Sequence, residues 1–331
     1  MALARKALVL LSGGLDSILA TKILQEQGVD LEAFNVRTQF ECCKLEASKM
    51  AHELGVPIVV ADTGPDYLDL IREPKNGWGK GVNPCVDCRA YMFRLAAKYM
   101  EKAGASFLVT GEVLGQRPNS QMRHQLRKVE EEAGLPGLIL RPLSAKLLDP
   151  TRPEQEGIVD RSKLFGVSGR SRQELMELAH RYGLKEIPQP SIGCRLTDPN
   201  FARRVKDAWS HEEADERWEY ELLKIGRHLR SPGGTKIVLG RDEEENNELS
   251  YLQERLPGSV FFEPENFFGP AALALGGTGD VREFVGGAIL RFTKKRPTGA
   301  PLIQFRSSEH KGNFSAATPL DDGAFTAAFI Q

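Results

Sequence analysis

The sequence predicts an α/β fold: a parallel sheet with helices on both faces, followed by a smaller α+β domain. Three observations lead there. Short apolar runs alternate with helix-length amphipathic stretches through the first part of the chain. A small-residue loop, Ser12-Gly13-Gly14-Leu15-Asp16-Ser17, joins the first such run to the first such stretch. After Pro199 the alternation gives way to short runs broken by glycine and proline. Strand–helix alternation implies right-handed βαβ units and a parallel sheet, and its loss marks a second domain. The expected domains are therefore residues 1–200 and 201–331.

The elements follow in order. Ala7–Leu11 reads as a buried strand, and Ile18, Leu19, Ala20, Ile23 and Leu24 as a helix. Leu31–Val36 is a second strand, Lys44–Leu54 a helix with Ala47, Met50, Ala51 and Leu54 on one face, and Ile58–Ala61 a third strand. A loop is expected over Asp62–Pro84, then a helix from about Cys88 to Lys102, a strand at Phe107–Gly111, a strand at Leu138–Leu143 and a helix at Arg172–Tyr182 ended by Gly183. Beyond the boundary, Val205–Leu229 is charged and reads as helical, while Lys236–Leu239, Val260–Phe262 and Ala288–Phe292 read as strands.

The chain has 331 residues and a formal net charge of −1, so an RNA contact must come from local basic patches rather than from the overall field. No apolar run approaches the roughly 20 residues of a membrane span, and the N-terminus enters a strand without a signal-peptide pattern. No membrane partner and a cytoplasmic location are the expectation. Five cysteines, an odd number, argue against a disulfide framework and for metal, redox or incidental use.

In a parallel sheet, ligands gather at the carboxyl ends of the strands. The Ser12–Ser17 loop sits at such an end and opens onto a helix N-terminus, where unpaired N–H groups and the helix dipole favour an anion. Ser12, Gly13, Gly14, Asp16 and Ser17 are thus candidate nucleotide residues. A bare carboxylate repels phosphate, so Asp16 is assigned to capping or to magnesium. The spacing is neither that of a Walker loop nor that of the three-glycine dinucleotide fingerprint. The alternative is an ordinary strand-to-helix turn.

The hexapeptide resembles the SGGxDS signature of PP-loop ATP pyrophosphatases, of the adenine nucleotide α-hydrolase-like fold. These cleave ATP between its α- and β-phosphates and adenylylate an acceptor.

Cys85 and Cys88 form a C-x-x-C pair at a helix entry, where the dipole lowers thiol pKa, and Cys194 stands far downstream. A redox pair, half a zinc knuckle or unconnected thiols remain alternatives. Structural zinc normally wants four ligands, whereas a cubane iron–sulfur cluster on three thiolates leaves one iron open to an exogenous ligand. Cys42-Cys43 is a further candidate persulfide carrier.

A PP-loop followed by C-x-x-C and a distant third cysteine resembles the cluster-dependent tRNA thiolation enzymes. Pro84–Cys88, Thr110–Gln116 with Ser120-Gln121, and Arg141-Pro142-Leu143 resemble the 4-thiouridine synthetase (ThiI) PP-loop domain. That resemblance implies that Gly111, Glu112 and Gln121 line the nucleotide or the base, and that Asp16, Cys85, Cys88 and Cys194 serve catalysis. It implies ATP and Mg2+ as cofactors, with a 4Fe–4S cluster on Cys85, Cys88 and Cys194, zinc being the alternative. Tandem THUMP and rhodanese segments of the enterobacterial form find no counterpart here, so a different sulfur route is expected, fed by inorganic sulfide or a cysteine desulfurase.

The stretch Gly234–Asn246 resembles the NFACT-R RNA-binding domain through its Gly-Arg-Asp turn leading into Glu-Glu-Asn. Arg291, Lys294, Lys295 and Arg296 are candidate phosphate contacts, and Phe267 or Phe268 candidate stacking residues.

The expected activity is ATP-dependent tRNA uridine thiolation: the base carbonyl is adenylylated, then sulfur displaces AMP. The closer motif match favours 4-thiouridine over 2-thiouridine or 2-thiocytidine. A PP-loop amide- or lysidine-type ligase with structural zinc, and a non-catalytic ATP- and RNA-binding protein, are the other readings. A homodimer is left open.

Overall fold

The computed structural model describes residues 4–40, 46–189, 193–276, 281–295, 297–316 and 318–330. Cys42, Cys43 and Arg296 lie outside the described residues. The chain divides into two compact units, Met1–Asp198 and Pro199–Gln331.

The first unit runs β1 (Lys6–Leu10), α1 (Leu15–Glu26), β2 (Asp30–Arg37), α2 (Glu46–Leu54), β3 (Ile58–Asp62), α3 (Asp66–Arg72), α4 (Cys85–Ala103), β4 (Phe107–Thr110), α5 (Arg123–Ala133), β5 (Ile139–Leu140), α6 (Arg152–Gln155) and α7 (Gln173–Arg181). Its strands form one parallel sheet in the order β3-β2-β1-β4-β5. Successive strand residues point to opposite faces, so β1 serves two cores. Ala7 and Val9 pack with Ile18, Leu19 and Ile23 of α1 and Leu175 of α7, while Leu8 packs with Phe93 and Ala96 of α4 and Val129 of α5. Both faces are covered, which is why β1 reads as a continuous apolar run. The strand order reverses between β1 and β4, creating a switch point where the loops after these two strands diverge.

The second unit runs α8 (Pro199–Ser210), α9 (Arg217–Leu222), β6 (Arg227–Arg230), β7 (Lys236–Leu239), α10 (Glu243–Gln253), β8 (Val260–Pro264), β9 (Ala272–Leu275), α11 (Arg282–Phe292), β10 (Leu302–Arg306), β11 (Lys311–Ser315) and α12 (Asp322–Ala328). Its sheet is antiparallel, in the order β11-β10-β8-β9-β7-β6.

Several expectations need correction. Ala288–Phe292 is the end of α11, not a strand. Gly286 and Gly287 let that helix sit against Ala316 and Thr318, so it is buried on every side, and a buried helix and a buried strand share the same short apolar run. Arg227–Leu229 is a strand, not helix. The break comes at Gly226, whose φ of +63° and 2.2 Å approach of any added Cβ to the Leu239 carbonyl demand glycine. The segment 62–84 contains α3, seated through buried Tyr67, Leu68 and Ile71. Of Leu138–Leu143 only Ile139–Leu140 pairs as strand.

His228 of β6 is fully buried, its Nε2 2.8 Å from the Ile225 carbonyl, and burial drives its pKa well below the usual value. The native ring stays neutral where the unfolded one takes up a proton, so this group's stabilisation is lost as pH falls through about 6.5. Denaturant unfolding at pH 7.5 and 5.5 should show wild type losing about 1.4 kcal/mol more than His228→Gln. Equal losses in the two proteins would contradict the assignment.

Candidate functional site

Leu11, just past β1, keeps the strand geometry by donating its N–H to the Phe34 carbonyl at 3.1 Å, and Asn35 Nδ2 donates to the Leu11 carbonyl at 2.8 Å. The chain then turns at Gly13, whose φ is +84°. A Cβ there would lie 2.8 Å from backbone and side-chain carbons of Glu46 at the start of α2, so the position demands glycine twice over. Gly14 caps α1 in extended geometry with no side-chain cap. The first N–H groups of a helix lack intrahelical acceptors, so this terminus is open to an anion. Ser17 Oγ donates to the Gly14 carbonyl at 2.8 Å and lies 3.3 Å from Ser12 Oγ, locking the loop in a cradle.

Gly111, just past β4, fixes the other wall. An added Cβ would lie 2.4 Å from the Asp16 carbonyl carbon and 2.5 Å from the Ser17 nitrogen. The backbone after β4 therefore lies directly on the first turn of α1, across the switch point.

Asp16 is half-buried, and Gln116 Nε2 donates to its Oδ2 at 3.1 Å. Burial pushes its carboxyl pKa up, against the Gln116 hydrogen bond and the attraction of Arg172 and Arg117. Glu112 is 2% exposed. Its Oε2 accepts from Arg141 Nε at 3.0 Å, its Oε1 lies 3.4 Å from Arg89 Nε, and Arg141 pairs also with Glu130. Gln121 is buried too, and its Oε1 accepts from the Arg117 N–H at 3.0 Å. Glu112 and Gln121 thus shape the wall and the 115–121 loop from beneath.

Arg117 joins the parts of the site. Although the residue is exposed, the cleft walls desolvate its guanidinium and Arg89 repels it, lowering its pKa, while Cys85, Asp16 and Glu112 draw the proton on. A single cation thus feels both the nucleotide loop and the first thiol.

Cys85 opens α4, with its Sγ donating to Asn83 Oδ1 at 3.2 Å. Burial pushes its thiol pKa up, opposed by Arg89 and Arg117. Cys88 Sγ lies 3.1 Å from the Tyr67 hydroxyl. Cys194 precedes a short turn whose backbone is stitched to the same region: Val82 N–H donates to the Leu196 carbonyl at 3.0 Å and Arg195 N–H to the Phe40 carbonyl at 3.2 Å. The Phe40 ring in turn packs 6.3 Å from that of Tyr67. Cys85, Cys88 and Cys194 are all free and partly accessible. Among the described residues, no group of three or more His, Cys, Asp or Glu side chains converges as it would on a single metal ion.

Sequence reasoning missed Arg89, Arg117 and Gln116 as site residues. Arg89 was findable from its place one residue after Cys88 in the first turn of α4, whereas nothing in the pattern marks Arg117, which is set by loop geometry.

In the second unit, the Gly240-Arg241-Asp242 turn binds itself. Asp242 caps α10 by accepting from the Glu245 N–H at 3.0 Å, Glu245 Oε2 accepts from the Arg241 N–H at 2.7 Å, and Asn246 Oδ1 accepts from the Ala271 N–H at 3.0 Å. Arg291 and Phe292 are engaged internally, Arg291 with Asp322 at 2.7 Å and Phe292 with the Phe325 ring at 5.6 Å. Lys294, Lys295 and Phe268 are exposed.

A glycine-built anion cradle at the switch point of a parallel α/β sheet defines a PP-loop nucleotide-binding protein. Residues 2–147 match the family described as thiamine biosynthesis protein (ThiI), and residues 226–330 match the NFACT protein RNA binding domain. The chain belongs to the ThiI-like PP-loop group and carries an NFACT-R-type domain behind it. Among similar proteins, the tRNA-specific 2-thiouridylase MnmA of Geotalea uraniireducens is 25% identical over 226 residues, 61% of this chain and 57% of that one. The same enzyme of Clostridium acetobutylicum is 29% identical over 150 residues, 39% of this chain and 41% of that one. The chain thus spans about half the length of these relatives. A solved 4-thiouridine synthetase–RNA complex with bound ATP is 24% identical, with a TM-score of 0.34, over 54% of this chain and 51% of that one. No helix among the described residues is long and apolar enough to cross a membrane.

The Gly111 contact yields a direct test. Gly111→Ala must push the β4 end off the first turn of α1, and Mg·ATP affinity measured by calorimetry should fall at least about tenfold, or ~1.4 kcal/mol. Unchanged affinity in a folded variant would contradict the role given to this approach.

Proposed function

We propose that this chain is an ATP-dependent tRNA uridine sulfurtransferase, with residues 1–200 as the thiolation domain and 201–331 as the RNA-binding domain. The observation that carries the reading is the placement of a PP-loop and a C-x-x-C helix entry on either side of Arg117. The match to the ThiI family supports the class of reaction, and the NFACT match supports RNA as partner.

In this reading the N–H groups and hydroxyls of Ser12–Ser17 hold the ATP phosphates, and Asp16 helps hold magnesium. A uridine carbonyl oxygen attacks the α-phosphorus, the bond to the bridging oxygen breaks and pyrophosphate leaves. Arg117 lies where it offsets the charge that gathers on the α-phosphoryl oxygens. Sulfur then bonds to the activated carbon and AMP leaves with the former carbonyl oxygen.

Cys85, Cys88 and Cys194 are the proposed ligands of an iron–sulfur cluster. Such a cluster, held by three thiolates, offers one iron open to a sulfide. The donor chemistry fits, since all three thiols are free and their segments are hydrogen-bonded into one neighbourhood. A cubane spreads its thiolates around a many-atom body, so it asks for proximity and not for convergence on one point; zinc asks for the latter. The sulfur source would be inorganic sulfide or a cysteine desulfurase.

The 4-position of uridine is the proposed target because of the ThiI match. The 2-position is the second reading, favoured by the names of the two relatives.

Two measurements test the proposal together. Wild type should catalyse tRNA-dependent ATP/pyrophosphate exchange, and Asp16→Asn should lower it by roughly 100-fold, ~2.7 kcal/mol. Anaerobically purified Cys194→Ala should keep ATP binding but lose iron, sulfide and thiolation. Full thiolation by that variant would sink the cluster, and no exchange by wild type would sink the enzyme reading.

A further inference from the structure

The second unit carries a large apolar side chain that its own core does not use. Phe268 is 95% exposed, whereas its neighbour Phe267 packs against the core with Phe262 and Phe292. The segment that presents it is firmly anchored. Asn266 Nδ2 donates to the Ala300 carbonyl at 3.0 Å, and Asn266 Oδ1 accepts from the Leu302 N–H at 2.9 Å. On the other side, a Cβ at Gly269 would lie 2.7 Å from Thr293 Oγ1. That approach seats the Phe268 tip against the C-terminal end of α11, one residue before Lys294 and Lys295. Both lysines are exposed, and neither makes an ion pair with another described residue. Arg227 flanks the same end of α11, its guanidinium 4.5 Å from the Phe292 ring centroid and its Nη1 donating to the Gly240 carbonyl at 3.3 Å.

An exposed aromatic ring on an anchored tip, bordered by unpaired cations, has the two properties that single-stranded nucleic acid rewards: a face on which a base stacks, and charge for the adjoining phosphates. The 440 Å³ cavity on the outer sheet face is a poorer match, since Glu263 and Glu265 line it and would repel phosphate.

We propose that Phe268, Lys294 and Lys295 form the surface by which this chain grips an unpaired nucleotide of its RNA, a loop or end base stacking on Phe268. The proposal rests on RNA being the partner, and it singles out these residues while excluding Arg291, Phe267 and Phe292, which are engaged within the fold. Double-helical RNA offers no free base face, so an unstacked segment is the occupant the ring selects.

The test is binding of unfractionated tRNA to the full chain, titrated at several salt concentrations. Phe268→Ala should weaken binding by roughly 5- to 100-fold, with the salt dependence kept, and Phe268→Trp should restore it. The double variant Lys294→Ala/Lys295→Ala should instead flatten the logarithmic salt slope by about one. Lys311→Ala, on exposed β11, should bind as wild type. Because Phe268 makes no core contact, a change in binding without a change in thermal unfolding reads the surface itself. If wild type binds tRNA and the Phe268 and lysine variants bind it equally well, this surface is refuted and RNA recognition stands. If wild type binds no tRNA, both fall, and a protein partner becomes the occupant to seek.

Discussion

The bare backbone of Gly111 against the first turn of α1 is the constraint on which the first unit depends. β1 and β4 are parallel neighbours, with Leu10 opposite Thr110, so the next residues of the two strands emerge side by side. One must turn into a helix and the other must pass over it. No side chain fits between them: any Cβ at 111 would fall within 2.6 Å of three backbone atoms of Asp16 and Ser17. The contact fixes the Ser12–Ser17 loop from the side opposite α2, which closes on Gly13. The anion cradle is thus held by two backbone approaches, neither of which moves when a ligand enters or leaves.

Charge organises what lies around that cradle. Glu112 and Arg141 are nearly inaccessible, and Glu130 and Arg89 extend the pair towards solvent. Removing one member of such a buried pair leaves an uncompensated charge and typically costs about 3–5 kcal/mol. The network therefore orients the wall beneath the cleft, leaving Arg117 as the cation between Asp16 and Cys85. The second unit has a comparable group: Asp207 takes Lys236 at 2.7 Å and Arg230 at 2.6 Å, tying α8 to the first hairpin of the sheet. In both units an interior ionic group joins elements distant in sequence, and the reactive or exposed cations stand at its edge.

The parallel sheet was legible because β1, β2 and β4 are buried on both faces and their apolar runs are bounded by glycine and polar turns. The PP-loop was legible because its chemistry is local: two glycines, two hydroxyls and a helix start. The thiols could be paired by spacing only as far as Cys85 and Cys88. Nothing in the sequence shows that the Cys194 turn hydrogen-bonds to Val82 and Phe40. The later segments misled where burial was complete, as in α11, whose Gly286-Gly287 pair looks like a strand break and is a helix–sheet packing device. Arg291 and Phe292 looked like an RNA surface because sequence records charge and aromaticity but not the Asp322 and Phe325 that occupy them. Phe268, one of two adjacent phenylalanines, was separated from Phe267 only by the direction in which the anchored tip points.

The account stands on one claim, that the loop and the thiols form a single site that places sulfur on a tRNA uridine. The most direct measurement is the thionucleoside content of tRNA from cells lacking this chain, re-supplied with wild type or with Asp16→Asn. The account predicts that one thiouridine disappears, returns with wild type and stays absent with Asp16→Asn. An unchanged set of thionucleosides in the deletion strain would contradict it.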